Sequence, residues 1–230
     1  MEMIANSLGI WKGRLSAATC RRMIEIFDEK EQRGESECPY DTLPDDYEHG
    51  GLVWRDCDKR KDVSCSVGNY GSFNDARYEI REILIESSME YFKYFQKLAE
   101  DGEEYVPREG WIPEKQPMVY KMQKTHPQGG FCEYHFEQGP EDVTRGRYAV
   151  WMIYLNDVTQ GGRTEFPNQD VELEPSEGTL VIWPAAFTHP HRATPDLMQT
   201  KYIVTGWFEH PGTTLGTPPR DPNLEIAPPA

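Results

Sequence analysis

The sequence predicts a mostly β fold with flanking helices, of the sandwich or jelly-roll kind, on three observations. Helical periodicity is confined to the first half of the chain. Beyond Gly110 it gives way to short aromatic and β-branched runs separated by Gly and Pro turns. Those runs follow one another without intervening helical stretches, which argues against alternating βα units and for stacked antiparallel strands.

Taken in order, Ser16 is placed to cap a helix running from Ala17 to about Glu29, with Cys20, Met23, Ile24 and Phe27 as its buried stripe. Residues 31–50 are rich in Glu, Asp, Pro and Gly and read as a polar loop, and Val63 to Val67 as a short strand. Asp75 is placed to cap a long helix that ends before Gly102. Tyr78, Leu84, Tyr91, Phe95 and Leu98 form its apolar stripe, and Glu79, Glu82, Glu86, Glu90 and Lys97 its solvated side. Such a helix must bury one face against something flat, and a sheet is expected there. Strands are expected near 118–125, 131–137, 148–155, 170–174, 179–183 and 200–208. From Pro211 onward the chain is dominated by Pro, Gly, Thr and other small residues with little to bury, and an irregular tail is expected over 211–230. No internal repeat or strong linker divides what precedes it.

With 230 residues and 37% hydrophobic side chains the chain suits one core. A formal net charge of -15 argues against nucleic acid and anionic membrane as partners, since both call for a basic face. Residues 1–15 lack the basic start and apolar run of a secretion signal, and no window is apolar enough to span a membrane. The five cysteines, Cys20, Cys38, Cys57, Cys65 and Cys132, are odd in number and include no CxxC pair. They read as reduced thiols in a cytoplasmic, reducing compartment, with Cys57 and Cys65 on neighbouring strands.

Three features carry chemistry. In Tyr134-His135-Phe136-Glu137 an extended backbone would project His135 and Glu137 to one face and turn Phe136 the other way, into the core or a second layer. Imidazole nitrogen and carboxylate oxygen together suit iron(II), manganese or zinc. In Thr188-His189-Pro190-His191-Arg192, either histidine could complete a two-histidine, one-carboxylate facial triad, and alternation does not choose between them. Lys201 opens the apolar strand that runs to Phe208. It either snorkels to solvent or, turned inward, needs an anion to meet it. Phe166, Trp183, Phe187 and Trp207 read as core aromatics or as apolar walls of a site.

In order and spacing these features resemble the 2-oxoglutarate and iron(II)-dependent oxygenases of the prolyl 4-hydroxylase-like group. Between His135-x-Glu137 and His191 stand Gly161-Gly162-Arg163-Thr164-Glu165-Phe166-Pro167, similar to the family's G-G-x-T-x-F-P turn, and Pro175-Ser176-Glu177-Gly178-Thr179-Leu180-Val181, similar to its strand entry. His191 and Lys201 lie ten positions apart, the family's interval between its distal histidine and its 2-oxoglutarate lysine, which selects His191 over His189. The resemblance covers about Met118 to Phe208. It departs at two places. Glu137 stands where the family usually has Asp, and Cys132 where a tyrosine often helps to hold 2-oxoglutarate.

The resemblance implies a double-stranded β-helix, a cupin-like jelly roll. One oxygenase domain would span 1–210, with a helical support region over 1–110 and the core over 111–210. It implies Fe(II) held by His135, Glu137 and His191, 2-oxoglutarate as co-substrate paired with Lys201, dioxygen, and ascorbate as a reductant. Tyr120, Gln123 and Tyr134 are candidates to replace the missing tyrosine hydroxyl, and Arg192 and Thr205 for further contacts to the co-substrate. The reaction implied is hydroxylation of an aliphatic carbon with release of succinate and carbon dioxide. A prolyl residue of a peptide or protein is the first expectation for substrate, with free amino acids and small metabolites open. Two other readings compete. One is a jelly-roll metal enzyme that does not use 2-oxoglutarate, in which Lys201 faces solvent. The other is a non-catalytic binding protein with a degraded site, in which Glu137 fails to reach the metal.

Overall fold

The computed structural model of the chain describes residues 1–5, 7–33, 52–57, 60–67, 73–96, 120–141 and 144–210. Helix α1 spans Ala17–Gln32. The Ser16 side chain caps it by accepting the Thr19 backbone N–H, which satisfies one of the donors a helix start leaves free. Its buried face is Cys20, Met23, Ile26 and Phe27, with Ile24 only partly covered beside them. Helix α2 spans Asn74–Gln96. Asp75 lies inside its first turn, where an acid complements the helix dipole, and is not the cap. Tyr78 is 55% exposed and does not belong to the buried stripe. The inward face is instead Ala76, Ile80, Leu84, Ser87, Ser88 and Tyr91, whose small members let the helix lie close to the sheet. Of the loop expected over 31–50, residues 31 and 32 instead extend α1, and 34–50 lie outside the described residues, as do Lys97, Leu98, Gly102 and the tail 211–230.

The strands are β1 (Glu2–Ile4), β2 (Leu8–Trp11), β3 (Val53–Cys57), β4 (Arg60–Val67), β5 (Tyr120–Thr125), β6 (Gly130–Phe131), β7 (Arg147–Tyr154), β8 (Thr164–Phe166), β9 (Val171–Leu173), β10 (Leu180–Pro184), β11 (Arg192–Ala193) and β12 (Lys201–Glu209). The large sheet runs β1-β2-β10-β7-β12-β5-β4-β3, with β6 paired to β4, and a small sheet runs β11-β8-β9. Every pairing is antiparallel. Strands near 120–125, 147–154, 171–173, 180–184 and 201–209 fall where the sequence places them. The expected strand at 131–137 does not form: only Gly130–Phe131 pairs, and His135 makes an isolated bridge to His191. Cys57 and Cys65 do stand on adjacent strands, but Cys57 pairs with Arg60 while Cys65 lies at the far end of the ladder, and the Cys65 thiol is free.

Side-chain alternation divides the large sheet into two faces. Ala149, Trp151, Ile153, Leu180, Ile182, Val204 and Phe208 face the helices, in one core with Met23, Phe27, Ile80, Leu84 and Tyr91. Gly206 is required on this face, because a Cβ there would meet the Trp151 ring at 2.6 Å. Val150, Met152, Tyr154, Val181 and Trp183 face the small sheet, in a second core with Phe166 and Leu173. Lys124, also on the helix side, is neutralised by Asp28 of α1 at 2.8 Å and Glu31 at 2.5 Å, which staples that helix to β5. Among the described residues no helix is long and apolar enough to cross a membrane.

Candidate metal and co-substrate site

Between the sheets lies a cavity of about 600 Å³, and the metal-ligating side chains converge in its wall. One ligand atom each from His135, Glu137 and His191 falls within 4.8 Å of the others. His135 and His191 exchange both backbone hydrogen bonds, at 3.0 and 2.9 Å, which fixes the two ligand segments against each other without a regular strand. The backbone N–H groups of Glu137 and Gln138 both donate to the Ala185 carbonyl, which anchors the segment beyond. Phe136, expected inside, is 47% exposed at the mouth.

Each histidine is oriented by its backbone. Nδ1 of His135 lies 2.9 Å from the Glu133 carbonyl, and Nδ1 of His191 lies 3.1 Å from the His189 carbonyl. A carbonyl only accepts, so in the neutral rings Nδ1 carries the proton and Nε2 presents a lone pair. Those Nε2 atoms lie 3.6 Å and 3.9 Å from Glu137 Oε1. The other oxygen, Oε2, accepts from Trp207 Nε1 at 3.0 Å and Arg147 Nη1 at 3.3 Å. One carboxylate oxygen is therefore held by outer donors and the other left to the cluster, the arrangement a metal ligand needs. Burial opposes the Glu137 charge, but the hydrogen bond to His135 and the charges of His135, His191 and Arg147 outweigh it and hold the acid at about 2. Burial, helped by His135, pushes His191 down to about 4 against the pull of Glu137, which keeps the ring in its neutral, ligating form at pH 7. The extra methylene of Glu137 thus does not prevent the carboxylate from reaching the histidines. The donor set fits a divalent transition metal such as iron(II).

His189 is not part of the cluster. Its Nε2 faces Ser7 Oγ at 2.8 Å and its Nδ1 faces Thr188 Oγ1 at 2.9 Å. Lys201 turns inward: it is 5% exposed and lines the cavity, and Nζ donates to the Gly162 carbonyl at 2.7 Å. The Gly161-Gly162 turn makes that carbonyl available. Both glycines have positive φ, and a Cβ on Gly161 would meet the Asp196 carbonyl oxygen at 2.0 Å. Among the described residues no carboxylate pairs with Lys201. Burial pushes its ammonium down to about 8, against a weaker pull from Cys132. A buried ammonium with no counter-charge is costly, and an incoming carboxylate would relieve that cost.

The remaining candidates divide. Gln123 and Thr205 line the cavity from β5 and β12, the Thr205 hydroxyl donating to the Trp151 carbonyl at 2.8 Å. Arg192 reaches the cavity but is held by Glu165 Oε2 at 2.7 Å and lies over the Tyr134 ring. Tyr134 is 45% exposed and donates to Glu165 Oε1 at 2.8 Å, outside the cavity lining. Tyr120 is on the opposite face of the sheet, edge-on to Trp151 at 4.9 Å, because β5 alternates and residue 120 shares parity with Met122 rather than Gln123. Neither tyrosine is placed to hold a co-substrate in the cavity. Thr164 lines the cavity, and its hydroxyl lies 2.7 Å from that of the buried Tyr154, a pair the sequence reading missed. Arg147 was missed as well. Phe166 and Trp183 are core residues that also pack against the His191 ring, while Phe187 is 73% exposed and packs in neither core.

Residues 118–209 match the family described as the 2OG-Fe(II) oxygenase superfamily. Over that stretch the chain is similar to members of this family. Over 105 residues the chain is 31% identical to prolyl 4-hydroxylase subunit alpha-1 of Gallus gallus and 30% identical to that of Homo sapiens, 39% of this chain in each case. It spans about 20% of the length of those relatives. In fold it is similar to a Pseudomonas putida prolyl-4-hydroxylase, with TM-score 0.60 and 16% identity over 90% of this chain and 94% of that one. It is also similar to a viral collagen prolyl hydroxylase from Paramecium Bursaria Chlorella virus-1, with TM-score 0.55 and 14% identity over 87% and 94%. A third similar structure is a prolyl hydroxylase from Trichoplax adhaerens in complex with a hypoxia inducible factor peptide fragment, with TM-score 0.54 and 14% identity over 89% and 84%. The jelly-roll oxygenase fold expected from the sequence is the one observed.

Proposed function

We propose that this chain is an iron(II)- and 2-oxoglutarate-dependent dioxygenase that hydroxylates an aliphatic carbon, with a prolyl residue of a peptide or protein as substrate. The observation that carries the reading is the convergence of His135, Glu137 and His191 in one cavity with an inward, uncompensated Lys201. The prolyl expectation is supported by the prolyl 4-hydroxylase relatives, and a peptide substrate by the Trichoplax adhaerens complex.

Bound in this cavity, iron(II) would supply dioxygen activation, and 2-oxoglutarate the two electrons that accompany its loss as succinate and carbon dioxide. The chain supplies position. His135 and His191 would hold the metal through Nε2 and Glu137 through Oε1. Arg147 and Trp207 donate to Glu137 Oε2, which leaves Oε1 facing the two histidines. Lys201 would meet the distal carboxylate of the co-substrate as a point charge, with Thr164, Gln123 and Thr205 lining the same cavity. Phe166 and Trp183 cover the buried side of His191 and exclude water there.

The test is incubation with iron(II), ascorbate, 2-oxoglutarate and a proline-rich peptide in air. The reading predicts succinate release together with peptide heavier by one oxygen atom on proline. Succinate release coupled only to a non-prolyl compound would keep the oxygenase and discard the prolyl substrate.

A further inference from the structure

Arg147 stands directly behind the metal-ligating carboxylate, and strand register explains how it comes to be there. Along the β12–β7 ladder Trp207 pairs with Val150 and Phe208 with Ala149, but the next pair is Glu209 with Arg147. Tyr148 is skipped, so β7 carries one extra residue at this point, a bulge of the kind that re-aims side chains. Counting back from Val150 and Met152 on the cavity face, plain alternation would turn Tyr148 to the cavity and Arg147 to the helices. With the bulge, the Tyr148 ring packs against Phe92 and Phe208 on the helix side, and Arg147 lines the cavity. The His210 backbone N–H donates to the Gly146 carbonyl at 2.9 Å, which closes the ladder beyond the bulge and fixes Glu209 opposite Arg147.

The guanidinium is held on three sides. Nη1 lies 3.3 Å from Glu137 Oε2, Cζ lies 3.7 Å over the Trp207 ring, and Nε lies 3.7 Å from Glu209 Oε1. Nε is buried and donates no hydrogen bond among the described residues, so the Glu209 carboxylate meets it as a charge and not as a hydrogen-bond acceptor. The side chains of Glu137, Arg147 and Glu209 are 20%, 13% and 16% exposed, so the carboxylate–guanidinium–carboxylate row is only weakly screened by solvent.

An arginine behind a metal ligand has two opposed effects. Its N–H orients the carboxylate, which favours binding. Its positive charge repels the divalent cation that the same carboxylate is to hold. A second carboxylate on the far side of the guanidinium cancels the repulsion and leaves the orienting donor in place. We infer that Glu209 is a positioning residue of the metal centre, the counter-charge that lets Arg147 orient Glu137 without repelling the metal. Glu209 is not among the residues that line the cavity, and it acts through Arg147 alone. The inference rests on the iron reading above and is independent of the prolyl substrate.

The experiment is anaerobic titration of iron(II) alone into the full chain, read by competition with a chromophoric chelator, and it needs no turnover. Glu209→Gln keeps the shape of the side chain and removes its charge. It is expected to weaken iron binding about tenfold, the order that loss of an outer partner costs, while the metal-free fold, followed by circular dichroism, is kept. Glu209→Asp keeps the charge but draws it back, and is expected to fall between glutamine and wild type. The deciding readout is the double-mutant cycle with Arg147→Gln. In that background Glu209→Gln is expected to change iron affinity by less than about twofold, because no guanidinium is left to neutralise. The same loss in both backgrounds overturns the inference and gives Glu209 a direct pull on the metal or a part in the fold. Iron affinity unchanged in Glu209→Gln overturns it as well. If Glu209→Gln does not fold, the cycle is run with Glu209→Asp, whose smaller loss is expected to vanish beside Arg147→Gln and whose persistence there counts against the inference. Wild type that takes up no iron(II) removes the iron reading itself, whereas iron binding indifferent to Glu209 leaves that reading standing.

Discussion

On β12, Tyr202, Val204 and Phe208 face the helices, while Lys201, Ile203, Thr205 and Trp207 face the cavity. β7 makes the same division: Ala149, Trp151 and Ile153 pack against the helices, while Arg147, Val150 and Met152 line the site. The two faces of the same strands obey different constraints. The outer face is filled by close packing, and Lys124, buried on it, is neutralised by Asp28 and Glu31. The inner face keeps an ammonium that has no counter-charge among the described residues and a carboxylate held by a tryptophan and an arginine, at a cost in stability that a bound anion and metal would offset. Changes on the outer face should therefore lower stability and spare ligand affinity, and changes on the inner face should do the reverse.

The largest effect expected is at Glu137. Glu137→Ala removes the charged ligand, and iron affinity should fall by more than the roughly 10–100-fold that loss of an outer-shell partner costs. Glu137→Asp, which withdraws the carboxylate by one methylene, should fall between alanine and wild type. Iron titration with succinate release measures both, and unchanged turnover in the alanine variant would remove Glu137 from the site. On the outer face, Trp151→Ala empties a fully buried position next to Gly206 and should lower stability by about 3–5 kcal/mol, with iron affinity unchanged in the protein that remains folded. A parallel loss of metal binding in native protein would break the division between faces.

Lys201→Met sharpens it further. Replacing a buried ammonium that has no counter-charge among the described residues with an apolar side chain should raise the melting temperature of the co-substrate-free chain while abolishing tight 2-oxoglutarate binding. A lower melting temperature would show that Lys201 is structural. The pH dependence follows from the same residue. Its folded value, about 8, lies below the ordinary lysine value of 10.5, so the folded chain releases this proton first as pH rises. Below pH 8 the cost of burying the charge is fully felt. Between 8 and 10.5 stability should gain from this group, and above 10.5 the gain is complete. The affinity for 2-oxoglutarate should move the opposite way, steady below pH 8 and falling up to about tenfold per unit above it. Neither trend should survive in Lys201→Met. The smallest effect is expected for Trp207→Phe, which removes one donor to Glu137 and should weaken iron binding roughly tenfold.

Much of this was legible in the sequence, unevenly across the two faces. Strands β7, β10 and β12 are long apolar runs, and helix α1 shows its stripe, because burial on one face leaves a period in the sequence. The spacing of Glu137, His191 and Lys201 was legible through the family resemblance, which also resolved His189 from His191. The His135 segment was misread as a strand because its geometry is held by one reciprocal bridge and by Ala185, which local pattern does not record. Tyr78 was misplaced because α2 packs through Ala76, Ser87 and Ser88, small residues that a hydrophobic stripe does not count. Tyr120 was placed on the wrong side of β5 because strand parity was not fixed until pairing with β12 set it. Arg147 and Tyr154 lie far in sequence from the residues they meet, Glu137 and Thr164 being ten positions away in each case, so only the folded sheets bring them into view.

The claim that iron(II) and 2-oxoglutarate share this cavity is tested most directly by anaerobic titration of 2-oxoglutarate into iron-loaded protein, read by metal-to-ligand charge-transfer absorption. Wild type should develop the band with saturation. Lys201→Ala should need about tenfold to a hundredfold more co-substrate, since a hydrogen bond to a charged group contributes about 1.5–3 kcal/mol and each 1.4 kcal/mol is about tenfold in affinity. Its iron affinity should be unchanged, and Lys201→Arg should bind in between. No band in wild type, or equal 2-oxoglutarate affinity in all three proteins, would contradict the account and leave a jelly-roll metal site that does not take 2-oxoglutarate.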